Sequence, residues 1–202
     1  MSQSINLYNQ LANHKLFNKS VNFGLKRIKL ALSLLGHPEK KLKNVISVIG
    51  ESGKFTTLFS LKSFIEANNQ KVTAHISPSI QDIKERFYMS KKYLTHIEIK
   101  KTIKKIEKLN IPLTVFECLT LVYIINASKI NADYNIQETG ALWRLDSNNV
   151  NDFPIIQICT NINKQHLNFL KKKTLDEVIK ELSLIHISEP TRQEAISYAV
   201  FC

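Results

Sequence analysis

The chain has 202 residues, a formal net charge of +11, 44% hydrophobic residues and 22% charged ones. That apolar fraction is enough for a packed core and excludes a disordered tail or a collagen-like repeat. No apolar run reaches the roughly 18 residues of a membrane-crossing helix, and the length sets a prior of one domain or slightly more.

The predicted elements alternate. Residues 23–35 carry Leu25, Ile28, Leu30, Leu32 and Leu35, read as an amphipathic helix that ends near Gly36. Residues 45–49 (Val-Ile-Ser-Val-Ile) read as a short buried strand. A turn over residues 50–54 leads into a helix over 56–67, and a second strand over 72–76 stops at Ser77-Pro78. Residues 97–109 are a lysine-rich helix, and 115–130 are apolar all round, which predicts a buried helix. Strands follow at 133–136 and 155–159, and Thr174 opens a last helix. This alternation predicts an α/β fold with a mainly parallel sheet flanked by helices.

Of the 28 basic residues, 24 are lysine and four are arginine. A nucleic-acid surface more often clusters arginine with aromatic residues. The dense runs at 40–43, 100–108 and 171–173 lie on or beside predicted helices, where they read as solvated faces, so neither a nucleic acid nor a membrane is an expected partner. Cys118, Cys159 and Cys202 share no close spacing, which suggests neither a disulfide framework nor a zinc site. The opening Met-Ser-Gln-Ser has no basic-then-apolar leader pattern, and a cytoplasmic, monomeric protein is expected.

Composition shifts once. All 24 lysines and 18 asparagines lie in residues 1–181, and none in the last 21. The stretch from Ser183 to Arg192 and its continuation Ile196 to Cys202 resemble translated sequencing-adapter read-through. Residues 182–202 are therefore set apart from the fold as a non-native tail.

The loop Gly50-Glu51-Ser52-Gly53-Lys54-Phe55-Thr56-Thr57 joins a predicted strand to a predicted helix. In a phosphate-binding loop, backbone N–H groups and the helix dipole hold the phosphates. Lysine neutralises their oxygens there, and a hydroxyl reaches the metal. The common G-x-x-x-x-G-K-[ST] pattern fails at Val48 and Phe55, so two readings stay open: a phosphate site or an ordinary strand-to-helix turn.

The shorter pattern G-T-N-G-K-G-[ST]-T of the Mur-type amide ligases fits this loop better. Within them, residues 20–181 resemble the folylpolyglutamate synthase/dihydrofolate synthase family in six ordered segments. Phe23-Gly-Leu-Lys-Arg-Ile with Leu35-Gly-His-Pro-Glu-Lys is similar to "FGLERI…LGNPQK", and the phosphate loop follows. Ser77-Pro-Ser-Ile with Glu85-Arg86-Phe87 is similar to "SPHL…ERI", and Leu113 to Thr120 to "LTFFEVLT". Glu138 to Asn149 is similar to "EVGLGGRLDATN", and Thr160 to His166 to "TSIGLDHT".

The resemblance implies an incomplete Mur-ligase-type ATPase domain and an ATP- and Mg²⁺-dependent ligase. Such an enzyme activates a dihydropteroate or folate carboxylate as an acyl phosphate, which the amine of L-glutamate attacks. It implies ATP contacts at Gly50, Glu51, Ser52, Gly53, Lys54, Thr56 and Thr57. It places Mg²⁺ on Ser77, Glu138, His166 and Thr56, and the catalytic roles on Lys54, Glu138 and His166. Phe23, Gly24, Phe116, Glu117, Arg144, Leu145 and Asp146 would bind the pteroate-type substrate. Several family glycines are absent: Phe55 follows the lysine, and Leu142-Trp143 stand at the "GG" of "GLGG". Their absence leaves two readings, a divergent lineage with adapted loops or impaired ATP handling. The resemblance also leaves the rest of the ATPase domain and the C-terminal domain unmatched, so the chain alone is expected to lack ligase activity. Two alternatives stand beside this reading: a Mur-type ligase for another acid, and a non-catalytic folate- or nucleotide-binding paralogue.

Overall fold

A computed structural model of the chain describes residues 2–18, 22–151, 154–163, 167–182 and 198–200. Its first elements are α1 (Ser2–Ala12), β1 (Phe17–Asn18) and α2 (Lys26–Leu34). The sheet begins with β2 (Val45–Ile49), which leads through α3 (Lys54–Ala67) to β3 (Val72–His75) and β4 (Phe87–Met89). Then come α4 (His96–Glu107), β5 (Leu113–Thr114), α5 (Val115–Ala127), β6 (Tyr134–Glu138), β7 (Ile156–Cys159), α6 (Leu175–Leu182) and β8 (Tyr198–Val200).

The main sheet runs β4-β3-β6-β2-β7-β8 and is parallel except for β4, which pairs antiparallel with β3. From β2 the chain crosses to β3, two places away; β6 later fills the gap, and β7 is added on the other side of β2. Such a switch of direction opens a crevice at the carboxyl ends of the strands, where ligands of α/β proteins bind. In register, Val48 lies beside Glu138 and Ile49 beside Cys159, so the chain leaves the sheet there from three adjacent strands.

Three apolar clusters hold these layers. The helical one joins α1, α2, α4 and α5 through residues such as Leu11, Ile28, Ile103 and Leu119. A second packs Leu58 and Ile65 of α3 on Ile46, Val72 and Ile136 of the sheet. A third gathers Ile49, Leu142, Trp143, Leu170, Val178 and Leu182. As predicted, α5 is buried nearly all round, whereas α4 buries Ile99, Ile103 and Ile106 and turns its lysines outward. Both helices start at a capping box, Thr95/Glu98 in α4 and Thr114/Glu117 in α5.

The structure departs from the sequence-based expectation in five places. The helix expected from residue 23 begins only at Lys26, because Gly24 turns with φ +148°. The helix α1, the two-stranded β1/β5 pair and the antiparallel β4 were not predicted. Within the last 21 residues, Tyr198–Val200 pair in parallel with Gln157–Cys159 at the sheet edge; residues 183–197 lie outside the described residues. Among the described residues, no helix is long and apolar enough to cross a membrane.

Candidate active site

The loop after β2 is shaped by contact with the segment after β7. Gly50 is buried with φ +115°. A Cβ there would stand 2.5 Å from Thr160 Oγ1 and 2.8 Å from the Asn161 carbonyl oxygen. Gly53, at φ +81°, is the N-cap of α3. No side chain caps that helix and no acid stands in its first turn, so its positive end is left for an anion. Lys54 is buried at the start of α3, and its Nζ donates to the Gly50 and Glu51 carbonyls at 2.9 and 3.2 Å. Burial lowers its pKa, while Glu138, Glu51 and Asp146 pull the other way.

The loop has a further partner. Asn161 Oδ1 accepts from the amides of Ser52 (2.8 Å) and Glu51 (3.1 Å). Thr160 Oγ1 donates to the Ser52 carbonyl at 2.6 Å. Thr56 is exposed and Thr57 half-buried on the first turn of α3. The Phe55 ring lies along the helix against Phe59, centroids 4.6 Å apart.

Glu138, at the end of β6, is buried, and its Oε2 accepts from the Ser77 amide at 2.9 Å. Burial pushes the carboxyl up to about 7, against the Ser77 amide, Lys54 and Arg86, which favour its charged form. The segment that follows is held by Asp146. This carboxylate accepts from the amides of Gly140 (3.0 Å) and Asn148 (2.9 Å), and burial pushes it up to about 6. Asn148 Nδ2 donates to the Glu138 carbonyl, and its Oδ1 accepts from His75 Nδ1. His75 lies fully buried among Phe87, Phe116 and Tyr123; burial lowers it to about 3, so it is neutral.

Beside this cluster lies a cavity of about 360 Å³. Phe23, Gly24, Phe116, Glu117, Leu145 and Asp146, six of the expected substrate residues, line it together with Ser77. The Phe116 ring lies over Gly140, where a Cβ would come within 2.8 Å of it. Arg144, the seventh, is not among the lining residues: it is exposed and pairs with Glu181 of α6 at 2.6 Å. Glu117 borders the cavity, but its carboxylate serves the Thr114 amide and Arg27. His166, the third expected metal ligand, lies outside the described residues. Among the described residues, no three of His, Cys, Asp and Glu gather as a metal site. Tyr8 and Arg86 also line the cavity and had no assigned role. Tyr8 comes from the unpredicted α1; Arg86 stood inside a family-like segment, which was the one signal available for it.

A glycine-bounded loop between a buried strand and an uncapped helix, a buried lysine within it and a carboxylate from the next strand define a Mur-ligase-type ATPase fold. Solved structures agree on this fold. More particularly, the chain's relatives by sequence and by structure are folylpolyglutamate/dihydrofolate synthases. It is 29% identical over 167 residues to the dihydrofolate synthase/folylpolyglutamate synthase of Bacillus subtilis, covering 78% of this chain and 38% of that protein. To the enzyme of the same name from Buchnera aphidicola it is 31% identical over 157 residues, covering 76% and 37%. Escherichia coli FolC in complex with DHPP and ADP superposes with a TM-score of 0.81 at 28% identity, over 90% of this chain and 43% of that one. A bifunctional folylpolyglutamate synthase/dihydrofolate synthase with Mn, AMPPNP and L-glutamate bound superposes with a TM-score of 0.77 at 25% identity, over 90% and 43%. The chain thus spans about two fifths of the length of these relatives. No family model matches it.

Proposed function

We propose that residues 1–181 are part of the ATP-binding domain of an ATP-dependent amide ligase that joins L-glutamate to dihydropteroate or a tetrahydrofolate. The observation that carries this reading is a shared wall. Ser77 lines the aromatic cavity and its amide is bonded to Glu138, whose charge reaches Lys54 of the phosphate loop. An acid seated in the cavity would present its carboxylate beside the nucleotide.

The residues fit a phosphate ligand: the N-terminus of α3 is uncapped, and Gly50 and Gly53 let the backbone close around it. Gly50, Ser52, Gly53, Lys54, Thr56 and Thr57 would hold ATP, with Lys54 leaving its two carbonyl partners to meet phosphate oxygens. Glu138 and Ser77, with Thr56 and His166, would supply oxygen and imidazole donors to Mg²⁺. Mg-ATP supplies the phosphoryl group that activates the acid, and cancels charge as the carboxylate approaches. Phe23, Phe116 and Leu145 would sandwich the aromatic acid, and Asp146 and Glu117 shape its walls through the backbone they hold. The amine of L-glutamate then displaces phosphate, giving an amide and releasing a proton. We place the protein in the cytoplasm as a monomer, without nucleic-acid or membrane partners. We read residues 182–202 as a non-native tail on their composition; re-amplifying the gene and reading past codon 181 tests this.

A second reading, a non-catalytic binding domain, is favoured by one feature: Asn161 occupies two loop amides. Thermal unfolding with Mg-ATP separates the two. The ligase reading expects saturating nucleotide to stabilise the wild-type chain by about 2–3 kcal/mol, as at ~100 times Kd, and Lys54→Ala to abolish the shift. Dihydropteroate binding with no response to nucleotide would instead support the second reading. We further expect no ADP release with dihydropteroate, glutamate and Mg-ATP above that of Lys54→Ala; turnover above it would overturn the inactivity of this chain.

A further inference from the structure

We propose that Arg86 is the carboxylate seat of the aromatic cavity, the residue that selects an acid over a neutral ring and aims its carboxylate at Ser77. The inference rests on the ligase reading and adds the determinant of substrate charge.

Arg86 ends a short 3-10 turn, Ile83–Arg86, which an Asp82/Glu85 capping box fixes. Its carbonyl accepts from the Ile76 amide at 3.0 Å, tying it to the strand end that carries Ser77. Its side chain is only 7% exposed and lines both the 360 Å³ cavity and a neighbouring one of about 330 Å³, each together with Tyr8. The other two described arginines are matched to carboxylates, Arg27 to Glu117 at 3.1 Å and Arg144 to Glu181 at 2.6 Å. Arg86 makes no such ion pair among the described residues, and its buried Nε has no hydrogen-bond partner. Glu138 and Tyr8 act on it only through their longer-range fields.

A buried guanidinium without a carboxylate is costly. The acids of the cavity wall do not relieve it, since Asp146 serves the amides of Gly140 and Asn148, and Glu117 serves Thr114 and Arg27. Among the described residues, Arg86 is the one cation lining the 360 Å³ cavity. Its planar fork matches a carboxylate in two parallel hydrogen bonds, and Phe23 and Phe116 line the same cavity and offer it aromatic rings. The ligand chemistry this selects is an aromatic acid.

The test compares pteroate with its decarboxylated analogue, followed by pterin fluorescence on the full chain. The wild-type chain is expected to prefer pteroate about 10- to 100-fold, the worth of a charge-assisted pair. Arg86→Met should bring the two ligands to equal affinity, and Arg86→Lys should keep part of the preference. The ratio within one protein is unaffected by a general loss of stability, and the wild-type ratio needs no variant. Equal affinity of the wild-type chain for both ligands, or an undiminished preference in Arg86→Met, would overturn the role of Arg86 and leave the pterin site standing. Should neither pterin bind, 4-aminobenzoate against aniline, read at the Arg86 Nε–H by NMR, decides. A shift with the acid alone keeps Arg86 as the seat while the folate reading falls, and no shift with either overturns the seat as well.

Discussion

At Gly50 the absence of one carbon sets the shape of the loop after β2. The space a Cβ would need is already filled by Thr160 Oγ1 and the Asn161 backbone, and φ is +115°. At Gly53 the nearest heavy atom to a Cβ is 3.9 Å away, so only the positive φ resists substitution. Gly50→Ala is therefore expected to cost about 2–3 kcal/mol in a urea melt, and Gly53→Ala about 1 kcal/mol. Equal costs would show that the loop is not clamped by the segment after β7. At this scale the family-like motifs made Lys54, Glu138 and Phe116 legible as positions. They could not make partners legible. Arg144 matches its motif, yet its guanidinium pairs with Glu181, 37 residues later. Asn161 holds two loop amides and Asn148 joins His75 to the Glu138 carbonyl, contacts that no local pattern announces.

The helix α5 carries Phe116 and Glu117 next to each other, and the fold uses them for different ends. Phe116 faces Gly140 and the cavity, while Glu117 turns back to close the capping box on Thr114 and to pair with Arg27. Glu117→Gln keeps an acceptor for the Thr114 amide but removes the charge opposite Arg27. It should lower stability by about 1–3 kcal/mol while leaving pteroate affinity within about threefold. A tenfold loss of affinity with unchanged unfolding would return the Glu117 carboxylate to the substrate-binding set. The long elements were readable because their periodicity records burial: α4 shows one apolar stripe and α5 is apolar all round. The elements β1, β4 and β5, of two or three residues, are too short to carry a period. Their pairing is decided by tertiary neighbours, as where β4 takes its place beside β3.

Over the whole molecule, the absent family glycines find an explanation in packing. Leu142 and Trp143 turn into the third apolar cluster, where Val178 and Leu182 of α6 cover them. The Glu181 carbonyl accepts from both the Trp143 and Arg144 amides. The loop that follows Glu138 is thus anchored by a helix outside the sheet as well as by Asp146 from within. Two truncations separate this anchoring from the contribution of the edge strand β8. Removing residues 183–202 takes away three residues paired with β7 and should cost about 1–4 kcal/mol, at ~0.5–1.5 kcal/mol per ladder bond. Removing residues 174–202 also strips α6. Burying Val178 and Leu182 is worth about 1.5–3 kcal/mol each, and their loss exposes Trp143, the single tryptophan of the chain. The shorter chain should therefore show red-shifted tryptophan emission and a much lower urea midpoint, while the chain ending at residue 182 keeps blue emission and a cooperative melt. If cutting at residue 182 alone reddens the emission, the last 20 residues take part in the core and cannot be set apart from the fold.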